Sequence, residues 1–341
     1  MNKITSTNTP RFMIPTSNFW LLLILLSSFL AGCDNPTDTT EKLNVDRDIP
    51  PSENFDASYG FWGPEGSTIY FTHSEELGTD PDPGKLDQLW KMDLKTRQRQ
   101  KIRDGRILNA DISPDGEWFV FQSFAVPQYL FKMRSDGTDL QQLTGPGSPN
   151  PEWKQTGLGR WSPNGNKILF SVAGEPCGVA LMDKNGSNPN IFIPFGVHAN
   201  WFPSGNRIAY VNYDTTQVRS QQQQVYIAKA DGGNPQKKTN LENTFFNINA
   251  PSLSPDSPQI VFIYNDEVYI KNVDGGDAEQ VTAGAGYAAR PEWSPDGQTI
   301  LFSRIILNGP ERLYYLNVAT REVTPVFPQP KMITPTKNTY R

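Results

Sequence analysis

Cysteine and histidine are nearly missing from this chain: Cys33, Cys177, His73 and His198 are the only ones among 341 residues. Two thiols cannot make a disulfide framework. The histidines do not stand at metal-binding spacing and no cysteine pair joins them, so neither a metal site nor a cofactor is expected. No G-x-S-x-G elbow and no Gly-rich phosphate loop occurs, which removes the signatures of α/β-hydrolase and nucleotide chemistry. Positive charge is not concentrated anywhere and the net charge is −5, so nucleic acid is not an expected partner. Long hydrophobic runs are missing too. The apolar stretch Phe19–Leu30 has twelve residues, short of a transmembrane helix.

That short run has the length of a signal h-region, behind an n-region carrying Lys3 and Arg11. It ends in Leu30-Ala31-Gly32-Cys33, which resembles the lipobox of bacterial lipoproteins. The resemblance implies that residues 1–32 are removed and that Cys33 carries lipid, anchoring the protein to a membrane. The alternative is an ordinary secretory signal with a chance cysteine. Asp34 resembles the signal that retains such proteins at the inner membrane; the outer surface stays open. Removing residues 1–32 takes the net charge from −5 to −7, because it removes two cations and no acid. Cys177 then has no thiol partner and reads as a small apolar residue on a strand. Residues 33–54 are polar and rich in proline, a tether with a flexible-coil span of roughly 25 Å.

What the chain has in abundance is turn punctuation: 29 proline, 27 glycine and 11% aromatic residues. From residue 55 these fall into a repeat. The turns are Trp62-Gly-Pro-Glu-Gly66, Ile112-Ser-Pro-Asp-Gly116, Trp161-Ser-Pro-Asn-Gly165, Trp201-Phe-Pro-Ser-Gly205, Leu253-Ser-Pro-Asp-Ser257 and Trp293-Ser-Pro-Asp-Gly297, with Pro-to-Pro spacings of 50, 49, 40, 52 and 40. After each turn come two alternating strands, such as TILFSR and RLYYLN. Four units then add a hairpin pair: Asp136-Gly137, Asn185-Gly186, Asp231-Gly232 or Asp274-Gly275. Many units finish on an apolar-Thr pair such as Leu143-Thr144. A period of 40–50 residues with four strands per unit predicts an all-β, six-bladed β-propeller of antiparallel blades over 55–328. Residues 329–341 read as a tail. The Trp residues ending the innermost strands are expected to pack between blades, and the turn carboxylates to cap turns, since a catalytic residue is needed once and these recur.

These units resemble the Pro-Asp variant of the WD-type repeat found in TolB-like propellers, over about four fifths of the chain. The resemblance implies a periplasmic or envelope protein that binds partners, and a monomeric propeller. TolB also has an α/β domain before its propeller, whereas a tether stands in that place here.

Function is expected where the units differ. Three insertions stand out: 75–87, 148–159 and 214–224. The first and third are expected to rise as a binding rim, with Glu75, Glu76, Asp80, Asp82 and Arg219 as candidate contacts. The second is expected to expose Trp153. His198, in GVHANWF on an innermost strand, is a candidate channel ligand; His73 reads as a surface residue. Two readings result: a lipid-anchored scaffold for an envelope protein or polymer, not an enzyme, or a lyase- or lactonase-like channel enzyme or carbohydrate binder using His198.

Overall fold

The computed structural model describes residues 57–76, 85–105, 107–123, 127–153, 155–174, 176–213, 223–242, 248–305 and 311–327. Cys33, Asp80, Asp82 and Arg219 lie outside them, as do the segments read as signal peptide, tether and tail. The described residues form 24 strands in six antiparallel sheets, each built from four consecutive strands. This is the six-bladed propeller, with no helix among the described residues. The first sheet and the sixth each use strands from their own unit alone, so no strand is shared between the two ends of the ring.

The innermost strands are Ala57–Trp62, Ile107–Ile112, Thr156–Trp161, Gly196–Trp201, Ile248–Leu253 and Tyr287–Trp293. Each leads into its Pro turn, and in blades two, three and six a serine hydroxyl closes that turn. In blade six the Ser294 hydroxyl accepts the N–H of Thr299 at 2.9 Å and donates to Asp296 at 2.6 Å. Asp296 accepts a further N–H from Gln298 at 3.0 Å, and Gly297 takes φ 67°. Ser113 and Asp115 repeat the arrangement in blade two. The serine hydroxyl, then the backbone N–H, holds both carboxyls below the ordinary range. These aspartates are turn caps, as the repeat predicts. The turns also come close to one another around the ring. Pro295 of blade six approaches within 3.5 Å of the place that a Cβ on Gly66 of blade one would occupy.

The outer strands are short, only two residues in blades two, four and five. Threonine completes them. Thr144, Thr239 and Thr282 are buried and accept the N–H of Leu130, Val225 and Val268, each at 2.9 Å. The apolar-Thr pairs thus replace ladder bonds that a two-residue strand cannot make. The hairpin glycines 137, 186 and 232 adopt the left-handed conformation their turns need. In blade five Gly276 does so rather than Gly275.

The core is a ring of six clusters, one at each junction between neighbouring blades. A four-stranded blade has two apolar faces and buries both only by stacking. Trp62, Trp161, Trp201 and Trp293, 5–9% exposed, each belong to one such cluster. They are packing residues. An ion pair lies nearly buried at the blade five–blade six junction. Arg304 meets Glu267 at 2.7 Å, with side chains 10% and 13% exposed. Burial pushes the Glu267 carboxyl up, but hydrogen bonds from Arg304 and Thr282 outweigh it and the net direction is down. Arg304→Ala should lower stability by about 2 kcal/mol, since it strands a nearly buried carboxylate; urea denaturation at pH 7 checks this.

Candidate functional site

Each innermost strand carries one bulge, where its ladder with the second strand slips by a residue. At each bulge one non-glycine residue lies in the left-handed region: Tyr59, Asn109, Leu158, His198, Ala250 and Arg290, at φ between 49° and 57°. Such a conformation costs about 1–2 kcal/mol at each position other than asparagine. It recurs in every blade, and outside blade one it sets the left-handed residue and the residue two further on toward the axis.

The contacts locate these side chains. Arg290 of blade six donates through Nη1 to Asn109 Oδ1 of blade two at 2.8 Å. Blades six and two are not neighbours, so this bond runs along the channel. Asn109 donates in turn to Gln122 Oε1 at 3.1 Å, an atom that also accepts the N–H of Leu158. The second ring includes Asp111, Arg160, Asn200 and Glu292. Asp111 Oδ2 accepts the N–H of Trp161 in the next blade at 2.7 Å. Glu292 Oε1 accepts the N–H of Trp62 at 3.3 Å, the same device across the ring closure. Phe61 holds the equivalent place in blade one and packs into the core instead.

Two guanidiniums, two carboxyls and an imidazole from four blades therefore share one channel. All five are only half-buried, yet protein surrounds them, as expected of groups lining a narrow channel. Burial pushes the Glu292 carboxyl up to about 7, with Asp111 adding repulsion and Arg160 and Arg290 pulling back. Burial likewise raises Asp111, against the pull of Arg160 and the Trp161 N–H. Burial and then Arg160 lower Arg290 to about 9. His198 falls to about 4 through burial and the two guanidiniums, so it is neutral at pH 7. A neutral imidazole at that value is a weak base but a good hydrogen-bond partner. Among the described residues no three His, Cys, Asp or Glu side chains converge as metal ligands do.

The family match falls on the later blades. Residues 173–335 fit the protein-family model described as TolB beta propeller domain. A structure assigned to TolB from Agrobacterium tumefaciens superposes with a TM-score of 0.60 at 20% identity, over 72% of this chain and 90% of that one. The chain is a six-bladed β-propeller similar to that of TolB. Its likeness to an uncharacterized protein of Agrobacterium fabrum, Atu1656, is 27% identity over 48% of this chain; the match spans 57% of that relative's length. Oligogalacturonate lyase of Vibrio parahaemolyticus shares the fold at a TM-score of 0.52 and 13% identity, over 80% of this chain and 93% of that one.

The TolB-like propeller places the sequence-derived candidates unevenly. His198 stands half-buried at the bulge of blade four's innermost strand, under the influence of Arg160 and Arg290. Glu75 and Glu76 are not in a loop: the second strand of blade one runs to Glu76 and pairs it with Lys85. The hairpin alternation simply continues further than the polar composition suggests. In blade four Gln224 is on the third strand and buried, accepting from Thr239 and from the N–H of Leu241. Trp153 is not exposed. Its ring packs on Phe170 at 5.4 Å, and the buried Asn150 ties the same segment to Leu143 O and Gly186 O at 2.8 and 2.7 Å. His73 is half-buried against Trp90 rather than on the surface. Cys177 stands just before a strand, half-buried and unpaired. Arg160, Arg290, Asp111 and Glu292 were missed as individuals. Their signal is in the sequence: the residues one and three before each strand-ending Trp or its equivalent change from blade to blade while their neighbours repeat.

Proposed function

We propose that this TolB-like propeller is a lipid-anchored scaffold of the bacterial cell envelope, which holds a ligand or a protein partner at the mouth of its channel and performs no chemistry on it. The observation that carries the reading is the division of labour on the axis. Asp111 and Glu292 each turn one oxygen to a backbone N–H of the next blade. That binds the ring together and leaves Arg160, Arg290 and His198 to face whatever enters. A neutral, weakly basic His198 suits recognition better than proton abstraction, which needs a base titrating near the working pH. The lipobox at Cys33 and the polar tether support an envelope site, with the propeller free to turn near a membrane.

The full-length protein is expressed with its signal segment, crosslinked in intact cells and recovered from the membrane fraction. The expected result is Cys33-dependent membrane recovery and one or a few partners, lost when the channel is narrowed by a bulky substitution at Ala250. Recovery in the soluble fraction with Cys33 intact would overturn the anchoring. Turnover of a sugar acid or lactone by the purified protein, abolished by His198→Ala, would favour the channel-enzyme reading instead.

A further inference from the structure

We propose that the Arg160–Arg290 pair is an anion site that takes a single carboxylate group presented along the propeller axis. This rests on the scaffold reading and names the chemistry of its ligand. The two guanidiniums come from blades three and six, and hydrogen bonds link their strands: Arg290 donates to Asn109, which donates to the Gln122 oxygen that also accepts the N–H of Leu158, two residues before Arg160. Among the described residues, neither has a carboxylate oxygen within 4.0 Å. Arg290 uses Nη1 on Asn109, while its Nη2 has no partner. Arg160 donates only to the adjacent carbonyl of Gly159, at 3.0 Å. Two like charges with unspent donors in one enclosed space call for a shared counter-ion. A carboxylate matches the planar guanidinium fork. Asp111 and Glu292 flank the site and repel a second negative charge, so a monoanion is preferred over a phosphate dianion.

Proton uptake goes with occupation. The groups facing Glu292 are Arg160, Arg290 and Asp111, with the Trp62 N–H. An anion on the arginines removes the attraction that keeps Glu292 ionised, so ligand and proton bind together.

Titration calorimetry on the full chain tests this with glutarate, galacturonate, a short peptide ending in a free carboxylate, its C-terminal amide and inorganic phosphate. At least one carboxylate should bind, about tenfold tighter at pH 6 than at pH 8, given a Glu292 value near 7 in the empty site. Whether the uronate or the peptide binds better identifies the source and supports the site either way. Arg160→Ala should weaken binding at least tenfold, and Arg290→Lys, which keeps the buried charge, should do so too. Glu292→Gln should bind with no pH slope. The proposal is overturned if phosphate or the amide binds as well as the acid, if no carboxylate binds, or if both arginine variants bind like wild type. A partner crosslinked in cells equally well by Arg160→Ala and Arg290→Lys would overturn this site and leave the scaffold reading standing.

Discussion

Trp62→Ala should lower the stability of the propeller by about 3–5 kcal/mol, the range for removing a large buried aromatic. Trp62 is 9% exposed and sits where blade one meets blade six. Its N–H and its indole Nε1–H both donate to Glu292, to the side chain and the carbonyl, each at 3.3 Å. Its ring leans on Tyr315 with centroids 5.9 Å apart. The other five junctions join blades that follow one another in the chain, so a weakened contact there is still held by a short connection. This junction joins residues 230 apart and contains no shared strand. What holds it is side-chain packing, the Tyr59 N–H to Ser303 bond at 2.9 Å, and Arg97 reaching the carbonyl of Val326. Removing Trp62 should therefore open the ring locally before it unfolds globally. Trp201→Ala, with equal burial in the blade three–blade four cluster, is the control. Both should lower the urea midpoint. Only Trp62→Ala should accelerate amide exchange selectively in blades one and six. If those blades stay as protected as blade three, closure does not rest on this contact.

The scaffold was legible because a propeller is written six times. Ser294, Pro295, Asp296 and Gly297 do the same work as their counterparts, and repetition separates a turn cap from a catalytic acid. The strand-ending tryptophans read correctly for the same reason. The site was less legible because it is written once. Sequence comparison between units directs attention to length changes, hence to the insertions, of which 75–76 and 223–224 are strand and 148–153 is packed down. The channel is built instead from substitutions that leave the repeat length intact. Arg290 and Glu292 sit inside RPEW, the opening of the most regular unit. What hides them is the bulge. On an unbroken strand, alternation alone gives the inward face of each inner strand. The slipped residue shifts that face, and a left-handed histidine, tyrosine or arginine is not foreseen from propensity. Only the cross-axis bond from Arg290 to Asn109 shows that residues 181 apart share one space.

Glu292→Gln and His198→Gln should tilt the pH dependence of stability in opposite directions, because the channel shifts the two groups the same way in charge and opposite ways in proton binding. Glu292 has its carboxyl at about 7 in the fold against an ordinary 4.5. The folded protein holds a proton there that the unfolded chain has lost, so the contribution of this group is fully present below pH 4.5 and disappears as pH rises to 7. Asp111 is shifted in the same direction and adds to that slope. His198 is at about 4 against 6.5. Here the unfolded chain binds the extra proton, so stability is full above pH 6.5 and is lost as pH falls to 4. At 1.36 kcal/mol per unit, each shift is worth about 3 kcal/mol across its window. In wild type the two offset one another between pH 4.5 and 6.5. Relative to wild type, Glu292→Gln should gain stability progressively from pH 4.5 to 7, and His198→Gln should gain it progressively from pH 6.5 down to 4. Urea unfolding at half-unit steps from pH 4 to 8 measures both differences. A Glu292→Gln curve parallel to wild type between pH 4.5 and 7 would mean that this carboxyl is ionised in the fold, and the neutral, proton-linked channel would fall with it.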